Sequence, residues 1–445
     1  MNPPVHIIVP IYRGISLTRR CLDSLAASDL PADCKVTLID DASPEDGMAE
    51  MLAVFVETAS GIAPSGPFWE LLRNAFNIGF VASVNRGMAH RLDHDVVLLN
   101  SDTEVPPGWL QRLRKAAYQR DNIGTVTPFS NCGSLASYPV PNMENGMPDF
   151  FSVEQLDHLF QAANAGVSVD IPTGVGFCLF IRRDCLNDTG TFDEVTFGKG
   201  YGEENDFCLR ASKRGWSHVL AADCFVFHKG RCSFGEEKDA RVKQAYALLV
   251  ERHSRYPALI QRHFTDDPAR PYRLRVDLLR LISDVHGILL VVTSVQSPTD
   301  RTIEPFGTLQ TLQLSPVRSD YFTLHWLNAS ETFKLWFRLP EELDKLHELL
   351  RALPIRTIQG DQPSWLRLEQ SALIGIFSHS PPPLKLFDLV ARHGTLRLSG
   401  WSALQQPLAA HISCLSGSRL LQPLAAMLPQ SVRARVRGWI KANRA

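Results

Sequence analysis

The sequence predicts an α/β protein whose sheet is mainly parallel, and two observations support this. Along the N-terminal part, apolar runs of strand length alternate with segments whose apolar residues recur at helical spacing. The runs are apolar almost throughout, as in strands that are buried on both faces. Repeated strand-helix-strand units of this kind place helices on both faces of the sheet. The 445 residues exceed the usual size of a single core, so we expect two or more domains.

The predicted elements of this first region follow one another regularly. Its strands are "VHIIVPI", "KVTLIDD", "WELLRN" and "DVVLLNSD", and the helices between them are "SLTRRCLDSLAAS", "PEDGMAEMLAVFVET" and "FVASVNRGMAHRL". In open sheets of this type, ligands bind beyond the carboxyl ends of the strands. Polar residues collect at those ends, with Tyr12 after the first strand, Asp40 and Asp41 ending the second, and residues 100–102 ending the last. We therefore expect the ligand site at this edge of the sheet.

The rest of the chain has a mixed pattern. We predict a helix in "SVEQLDHLFQAAN", a strand in "GVGFCLFIRR", a helix in "DFCLRASKRG", short strands in "SHVL" and "CFVFH", and one long helix from about Glu236 to Arg262. The segment "TDDPARPYR" is typical of a linker. Strands in "GILLVVTSV", "YFTLHWL" and "FKLWFRL" and a helix in "PEELDKLHELLRAL" then predict a second, small α/β unit. The predicted organisation is a domain at 1–265, a linker at 266–280 and an accessory region at 281–445.

Composition and charge exclude some classes of function. The 46 basic and 47 acidic residues nearly cancel, which gives no overall attraction to nucleic acid. The nine cysteines are scattered singly, as expected for reduced thiols in the cytoplasm. The N-terminus lacks the basic region of a signal peptide, and the longest apolar stretch is well short of the roughly 20 residues of a membrane span. We expect a cytoplasmic protein without a membrane span.

Two acidic residues at the strand ends have competing interpretations. Asp102, one step past a buried strand, is either a metal ligand or the N-cap of the helix that begins in "PPGWLQRL". Asp41 either accepts the imide N–H of uracil or thymine, or the N1–H of guanine, or belongs with Asp40 to an Asx-turn. These residues alone leave both alternatives open.

The order of the motifs resembles a known family. "IIVPIYRG", "VTLIDDAS", "NAFNIGFVASVNRGM", "VVLLNSDTEV", "GVGFCLFIRRDCLNDTGTFDE", "YGEENDFCLR" and "VFHKG" occur in the order and approximate spacing of family 2 glycosyltransferases with the GT-A fold. The resemblance covers residues 5 to 235 and is strongest to the branch that makes bacterial O-antigen and other cell-surface polysaccharides. It implies a mixed, mainly parallel sheet that binds a nucleoside-diphosphate sugar.

The resemblance also implies a donor site and a metal site. Asn100-Ser101-Asp102 resembles the Asp-x-Asp motif with Asn in the first position, so Asp102 would bind Mg²⁺ or Mn²⁺ on the donor diphosphate. His228, in "CFVFHKG", resembles the distal histidine that can complete this site, although a structural histidine is the alternative. The donor residues implied in this way are Pro10, Tyr12, Asp41, Asn77, Gly79, Asn85, Asn100, Ser101 and Asp102.

A second chemical centre is predicted in "GYGEENDFCLR". An inverting transfer needs one base to take the proton of the acceptor hydroxyl. In the family's Glu-Asp-x-Asp pattern the second residue is the base, which here is Glu204, with Glu203 as the next candidate. Asp206 is assigned to the acceptor side or to a structural cap. Gly174, in "PTGVGFCLF", is assigned to a close approach of acceptor or backbone.

These observations predict an inverting, metal-dependent sugar transferase. Its donor would be a UDP-, dTDP- or GDP-linked sugar, and its acceptor a glycan or a lipid-linked glycan. The rivals are a non-catalytic nucleotide- or glycan-binding module and, with less support, a sugar nucleotidyltransferase. The basic C-terminal segment "QSVRARVRGWIKANRA" either docks on anionic lipid at the inner face of the membrane or forms a solvated helix. The region after 281 loosely resembles part of a GT-B domain.

Overall fold

The computed structural model describes residues 2–62, 66–148, 151–198, 200–230, 236–283, 287–292, 310–318, 321–327, 333–338 and 341–360. Residues Met1–Gly394 form one compact unit and Thr395–Ala445 a second. The second unit, and with it the predicted basic C-terminal helix, lies outside the described residues.

The N-terminal part contains an eight-stranded mixed sheet and a two-stranded ribbon. The strands are β1 (Val5–Ile11), β2 (Lys35–Asp40), β3 (Phe68–Arg73), β4 (Asp95–Leu99), β5 (Thr103–Glu104), β6 (Ile123–Phe129), β7 (Ser168–Ile171), β8 (Cys178–Ile181), β9 (Ser217–Phe225) and β10 (Phe227–His228). The large sheet has the order β3-β2-β1-β4-β8-β6-β9-β7, and β10 pairs with β5 in the ribbon.

The helices of this part pack on both faces of the sheet. They are α1 (Ile15–Ala27), α2 (Met48–Ile62), α3 (Phe80–His90), α4 (Trp109–Ala117), α5 (Val153–Asn164), α6 (Arg183–Thr189), α7 (Glu194–Phe197), α8 (Glu203–Ser212), α9 (Glu236–Arg252), α10 (Tyr256–Asp266) and α11 (Arg270–Ile282).

The strand directions decide where the site lies. Strands β3, β2, β1 and β4 are all parallel, whereas β8 is antiparallel to both of its neighbours, β4 and β6. The carboxyl ends of β1, β2 and β4 therefore meet at one edge of the sheet. This is the arrangement that the sequence predicts for the ligand crevice.

The apolar strands are buried on both faces, as their sequences predict. Ile7 and Val9 of β1 pack in a core with Leu22 of α1 and with side chains of α2 and α4. Ile8, which points to the opposite face, packs in a second core with Phe207 of α8 and side chains of α3. Helices on both faces of the sheet are therefore confirmed.

Three predicted elements differ from the structure. The single long helix predicted to about Arg262 is two helices, α9 and α10, and Pro257 lies in the first turn of the second helix. A proline fits this position because it has no N–H to donate and its fixed φ suits a helix start. Part of the predicted linker is helix α11, which also has a proline, Pro271, in its first turn. The two short strands predicted in "SHVL" and "CFVFH" are the continuous strand β9 followed by β10.

A second sheet follows helix α11. It consists of β11 (Ile288–Val292), β12 (Gln310–Arg318), β13 (Tyr321–Trp326), β14 (Lys334–Arg338) and β15 (Ile355–Gly360), with helix α12 (Leu343–Ala352). Its order is β14-β13-β12-β11-β15, and Leu290, Leu324 and Leu349 are buried in its own core. The predicted second, small α/β unit is present, and its strands β12 and β15 were not predicted.

Two further expectations concern the described part of the chain. No helix there is long and apolar enough to cross a membrane. The cysteines in the described ranges are free thiols.

Candidate active site

The first half of the site lies where β1, β2 and β4 end side by side. Tyr12 follows β1 directly and is half-buried, with the Arg13 guanidinium 5.3 Å from its ring centroid. Pro10, also half-buried, pairs with Ile39 across β1 and β2. The positions predicted to contact the donor therefore lie at adjacent strand ends. Their roles toward a donor remain predictions.

Asp41 is held in a hydrogen-bonded loop. Its Oδ1 accepts bonds from Asn74 Nδ2 and the Ile78 N–H, each at 2.8 Å, and its Oδ2 accepts from the Gly79 N–H at 2.9 Å. Asp41 thus anchors the loop that leads into α3. One carboxylate can accept about four hydrogen bonds, which leaves room for the predicted contact with the base. The local side-chain turn is made by Asp40 instead, whose Oδ1 accepts the N–H of Ser43, three residues on, at 2.9 Å.

The segment before and within α3 supplies the other donor candidates. Asn77 is half-buried in the loop, and Gly79 precedes the helix with a φ of 92°, a conformation that favours glycine. Asn85 is engaged with the backbone of Phe192, donating to its C=O at 2.9 Å and accepting from its N–H at 3.1 Å. This places Asn85 in a contact that holds the segment before α7. The donor roles of these three residues remain predictions.

Asp102 and His228 face each other across the β5–β10 ribbon. Asp102 Oδ1 lies 3.3 Å from His228 Nε2, and the two side chains are 16% and 15% exposed. The other ring nitrogen, Nδ1, donates to the Cys132 C=O at 2.7 Å. A histidine held in this way directs Nε2 at its partner, which is how metal-binding histidines are commonly oriented.

The electrostatics of the pair follow from this contact. Burial disfavours the ionised form of each group, but their mutual hydrogen bond and charge outweigh it, so the pKa of Asp102 lies below its usual value. Burial by itself would lower the pKa of His228. The hydrogen bonds to Asp102 and to Cys132 raise this pKa to about 10. Without a cation, the two side chains therefore form an ion pair.

The donor set of this pair suits a divalent cation. A carboxylate oxygen and an imidazole nitrogen that converge on one point are both metal-ligand types, and a cation there would replace the imidazolium proton. No group of three or more His, Cys, Asp or Glu side chains that could hold a metal occurs among the described residues. Mg²⁺ and Mn²⁺ take their other ligands from phosphates and water, so two protein ligands are sufficient.

The alternative interpretation of Asp102 as a helix cap is wrong. Helix α4 begins at Trp109, its N-cap is Gly108 with a φ of 71°, and no side chain caps it. Strand β5 lies between Asp102 and that helix. The polar residues after β4 are therefore free of a capping role. Ser101, between Asn100 and Asp102 in the chain, is half-buried. The Asn100 N–H donates to the Phe177 C=O at 2.8 Å.

Residues that the sequence did not single out hold His228 in place. Asn131 accepts the His228 N–H at 2.9 Å and donates to its C=O at 2.9 Å. Phe177 stacks on the imidazole with ring centroids 5.2 Å apart and an interplanar angle of 17°. These contacts join segments far apart in the chain, so no local pattern indicates them.

The second half of the site is the acidic start of α8. Glu203 is only 4% exposed, and its Oε2 has no hydrogen-bond partner in the described part of the chain. Burial, and then the neighbouring Glu204, raise the pKa of Glu203 well above its usual value. Burial also raises the pKa of Glu204, but the N–H groups of Gly202 and Asn205 and the Asn205 side chain oppose it. Glu204 is half-buried, so it is both the more accessible and the more readily ionised of the two.

Asp206 is saturated by basic partners. Its Oδ2 accepts from Arg210 Nε at 2.7 Å, and its Oδ1 lies 2.9 Å from His253 Nε2 and 3.3 Å from Arg252. The side chain is 1% exposed. These bonds tie α8 to the end of α9, and they are not a helix N-cap, because Gly202 precedes the helix. An acceptor-side role for Asp206 has no further support from these contacts.

The two halves meet at a short glycine-containing segment. A Cβ on Gly176 would lie 3.6 Å from Cδ of Glu204, so the Glu204 side chain lies over this glycine. The next residue, Phe177, stacks on His228 and accepts the Asn100 N–H. The Glu204 carboxyl and the Asp102–His228 pair are thus linked through two successive residues.

Gly174, at the start of the same segment, is packed within the protein. A Cβ there would overlap Cδ1 of Leu179, and the Gly174 N–H donates to Cys208 Sγ at 3.3 Å. The close approach predicted at this glycine is thus made by internal side chains. A role for Gly174 toward the acceptor remains a prediction.

Comparison with known proteins places the chain among the glycosyltransferases. Residues 6–190 match the model of the family described as Glycosyl transferase family 2. This region, 185 of the 445 residues, is similar to that family, and the mixed sheet with helices on both faces is the GT-A fold. The predicted family and fold class are therefore confirmed.

The sequence identity to individual proteins is low. Glycosyltransferase AglE of Haloferax volcanii is 23% identical over 238 residues, which are 53% of this chain and 69% of that protein. The undecaprenyl-phosphate 4-deoxy-4-formamido-L-arabinose transferase of Sodalis glossinidius is 32% identical over 127 residues, or 27% of this chain and 36% of the relative. The solved structure of mannosyltransferase PcManGT from Pyrobaculum calidifontis, in complex with GDP-Man and Mn²⁺, has 17% identity and a TM-score of 0.42, covering 63% of this chain and 75% of that one.

Proposed function

We propose that this glycosyltransferase transfers a sugar with inversion from a nucleoside diphosphate to a hydroxyl of a glycan or lipid-linked glycan. One observation carries the proposal. The Glu204 carboxyl and the Asp102–His228 pair lie on either side of the segment Gly176-Phe177. A group that can remove a proton is thereby close to a pair that can hold the cation of a diphosphate.

The donor would lie along the ends of β1, β2 and β4. Tyr12 and Asp41 would hold a uracil, thymine or guanine base, consistent with UDP-, dTDP- or GDP-linked sugars. Pro10 would belong to the same donor site, Asn77, Gly79 and Asn85 would lie beside the ribose and diphosphate, and residues 100–102 would approach the diphosphate. Support comes from the positions of Tyr12, Asp41 and residues 100–102 after strands β1, β2 and β4, which end at one edge of the sheet.

Asp102 and His228 would hold Mg²⁺ or Mn²⁺. When bound there, such a cation would supply Lewis-acid stabilisation of the charge on a departing diphosphate. Asn100 has one negative charge fewer than an aspartate in the same place. His228 adds a nitrogen ligand whose orientation is fixed by Cys132 and Asn131.

Glu204 would act as the base. Its carboxylate takes the proton of the acceptor O–H while the oxygen forms a bond to the anomeric carbon. The bond from that carbon to the phosphate oxygen breaks on the opposite face, and its electron pair leaves with the nucleoside diphosphate. Glu203 is less suited to this role, because burial favours its protonated form.

The pathway and the location are further parts of the proposal. A role in cell-surface polysaccharide synthesis in bacteria, at the cytoplasmic side of the membrane, follows from the family resemblance. The name of the Sodalis relative, which includes undecaprenyl phosphate, is consistent with a lipid-linked participant in the reaction. The docking of the basic C-terminal segment on anionic lipid is part of the same proposal.

The division of the chain is also proposed, with the catalytic domain at 1–265 and an accessory region at 281–445. Helix α11 lies in the expected linker between them, yet Val276 and Leu279 are buried against the catalytic core. Tyr138 donates to Asp277 at 2.6 Å from within that core. We therefore extend the catalytic unit to include α11.

The first test is thermal stability with UDP, dTDP, GDP and CDP, each with and without Mn²⁺ or Mg²⁺. A ligand that binds only the native state raises the melting temperature. We expect a metal-dependent rise with one of the first three nucleotides, followed by transfer from a sugar that this nucleotide carries. A folded protein that responds to none of them would contradict the donor site. Binding without turnover of any matching nucleotide-sugar would favour a non-catalytic module.

A further inference from the structure

The two residues proposed to hold the base stand where strands β1 and β2 continue into separate loops. The Asp41 N–H donates to the Ile11 C=O at 2.8 Å, which joins the two strand ends. Beyond this bond, residues 12–14 lead into α1 and residues 41–47 lead to α2. Tyr12 lies on the first loop and Asp41 on the second. The two side chains can therefore face one base only if the loops are held relative to each other.

Glu45, on the second loop, reaches back to the first loop. Its Oε1 accepts the Gly14 N–H and its Oε2 accepts the Ile15 N–H, each at 2.9 Å. Gly14 is the N-cap of α1 and has no side chain with which to cap the helix. The Glu45 carboxylate instead satisfies two N–H groups at the positive end of the helix dipole.

Glu45 is also held within its own loop. Its N–H donates to Ser43 Oγ at 3.3 Å, and the Ser43 N–H donates to Asp40 Oδ1 at 2.9 Å. Ala42, directly after Asp41, has a φ of 50°, which is unfavourable for a residue with a Cβ. Such a conformation persists only where surrounding contacts hold it. The bonds that run from Asp40 through Glu45 to α1 supply contacts of this kind.

The charge of Glu45 suits this position. Hydrogen bonds from the N–H groups of Gly14 and Ile15 hold the pKa of Glu45 below its usual value, and the charge of Arg13 adds to the effect. The Arg13 guanidinium also lies 5.3 Å from the centroid of the Tyr12 ring. The loop that carries Tyr12 thus presents two N–H groups and one cation to the carboxylate.

We propose that Glu45 is a positioning residue of the donor site, which holds the loop of Tyr12 against the loop of Asp41. This inference rests on the proposed function. Glu45 acts through the two loops and not on the reacting atoms. A site that is ordered before the nucleotide arrives loses less free energy on binding. Loss of Glu45 should therefore weaken binding of the base and leave the cation ligands Asp102 and His228 unaffected.

The test is titration calorimetry of the full chain with the nucleoside diphosphate selected by the melting experiments, and with its monophosphate. We expect Glu45→Ala to weaken binding of both nucleotides about fivefold, the usual cost of losing a helix cap. The factor by which Mn²⁺ strengthens binding of the diphosphate should stay as in the wild type. Glu45→Gln should cause a smaller loss, because one amide oxygen remains to accept a bond.

Two further variants control this experiment. Glu50→Gln makes the same change of charge at an exposed position in the first turn of α2, so we expect wild-type affinity. Asp102→Ala should show the opposite pattern to Glu45→Ala, with loss of the Mn²⁺ factor. Wild-type affinity in both folded Glu45 variants would overturn the inference, as would loss of the Mn²⁺ factor in Glu45→Ala. A wild-type protein that binds none of the nucleotides would contradict the donor site itself.

Kinetics distinguish positioning of the base from a general loss of folded enzyme. Glu45→Ala should raise KM for the nucleotide-sugar about fivefold with kcat unchanged, since it removes binding that is equal in the ground state and the transition state. A lower kcat at unchanged KM would indicate less folded enzyme and would contradict the positioning role. Wild-type KM and kcat in this variant would contradict it as well.

Discussion

The edge of the sheet at which β1, β2 and β4 end is the proposed donor edge. This edge and the surroundings of Glu204 are built in different ways. Tyr12, Asp41 and Asp102 follow parallel strands that lie side by side, so the direction of the sheet alone brings them together. Glu204, in the first turn of α8, instead lies over Gly176, a residue of a distant segment. The residues proposed to bind the donor are therefore brought together by the sheet, whereas the environment of the proposed base depends on contacts between distant segments.

The largest expected effect is on the Glu204 side. Glu204→Gln should reduce transfer by about 10²- to 10⁴-fold, the usual contribution of a general base, and leave metal-dependent nucleotide binding intact. Glu203→Gln should reduce transfer far less, since glutamine resembles the protonated carboxyl that burial favours there. Turnover measurements and nucleotide titrations of both variants check this contrast. Equal losses in the two variants would mean that the carboxyls act as one unit.

The next effect concerns the donor edge. Removing even a partner of a metal ligand costs about 10- to 100-fold in metal affinity, so Asp102→Ala should cost at least as much. Nucleotide binding should then lose its dependence on Mn²⁺ or Mg²⁺. The matched control is Asp23→Asn on α1, an exposed carboxylate paired with Arg19. If the metal dependence of Asp102→Ala equals that of the control, Asp102 is not a ligand.

A third prediction concerns the role of α11 in the catalytic unit. A chain that ends at residue 265 loses Val276 and Leu279, which are buried with Phe160 and Phe225. Each buried aliphatic side chain contributes about 1.5–3 kcal/mol, so this fragment should be several kcal/mol less stable than one ending at residue 283. Urea denaturation of the two fragments compares their free energies of unfolding. Equal stability would restore the boundary at 265.

The smallest effects should separate packing from function along one segment. Gly174→Ala forces a Cβ onto Leu179 and should lower the free energy of unfolding by about 1–3 kcal/mol, as overpacking does. Gly176→Ala places its Cβ in ordinary contact with the Glu204 carboxyl, so we expect a stable protein with reduced transfer. Thermal melts and turnover of the two variants provide the comparison. A large loss of stability in Gly176→Ala would contradict the functional role of this position.

The family, the parallel strands and most helices could be predicted from the sequence, because apolar periodicity and strand-end motifs are local signals. The helix break before Pro257 was missed, and so were the strands β5, β6, β7, β12 and β15. In the site, the acidic candidates were identified, but the alternatives for Asp102 were not resolved. The contacts that hold His228, made by Asn131, Cys132 and Phe177, gave no sequence signal.

The sequence by itself determined that polar side chains follow buried parallel strands, since the run of apolar residues and its abrupt end are properties of neighbouring positions. Only the tertiary structure decided that, of the two neighbouring carboxyls, Glu203 is buried and Glu204 is accessible. Burial and hydrogen bonding depend on segments far apart in the chain, and those two effects set the protonation of Glu203 and Glu204.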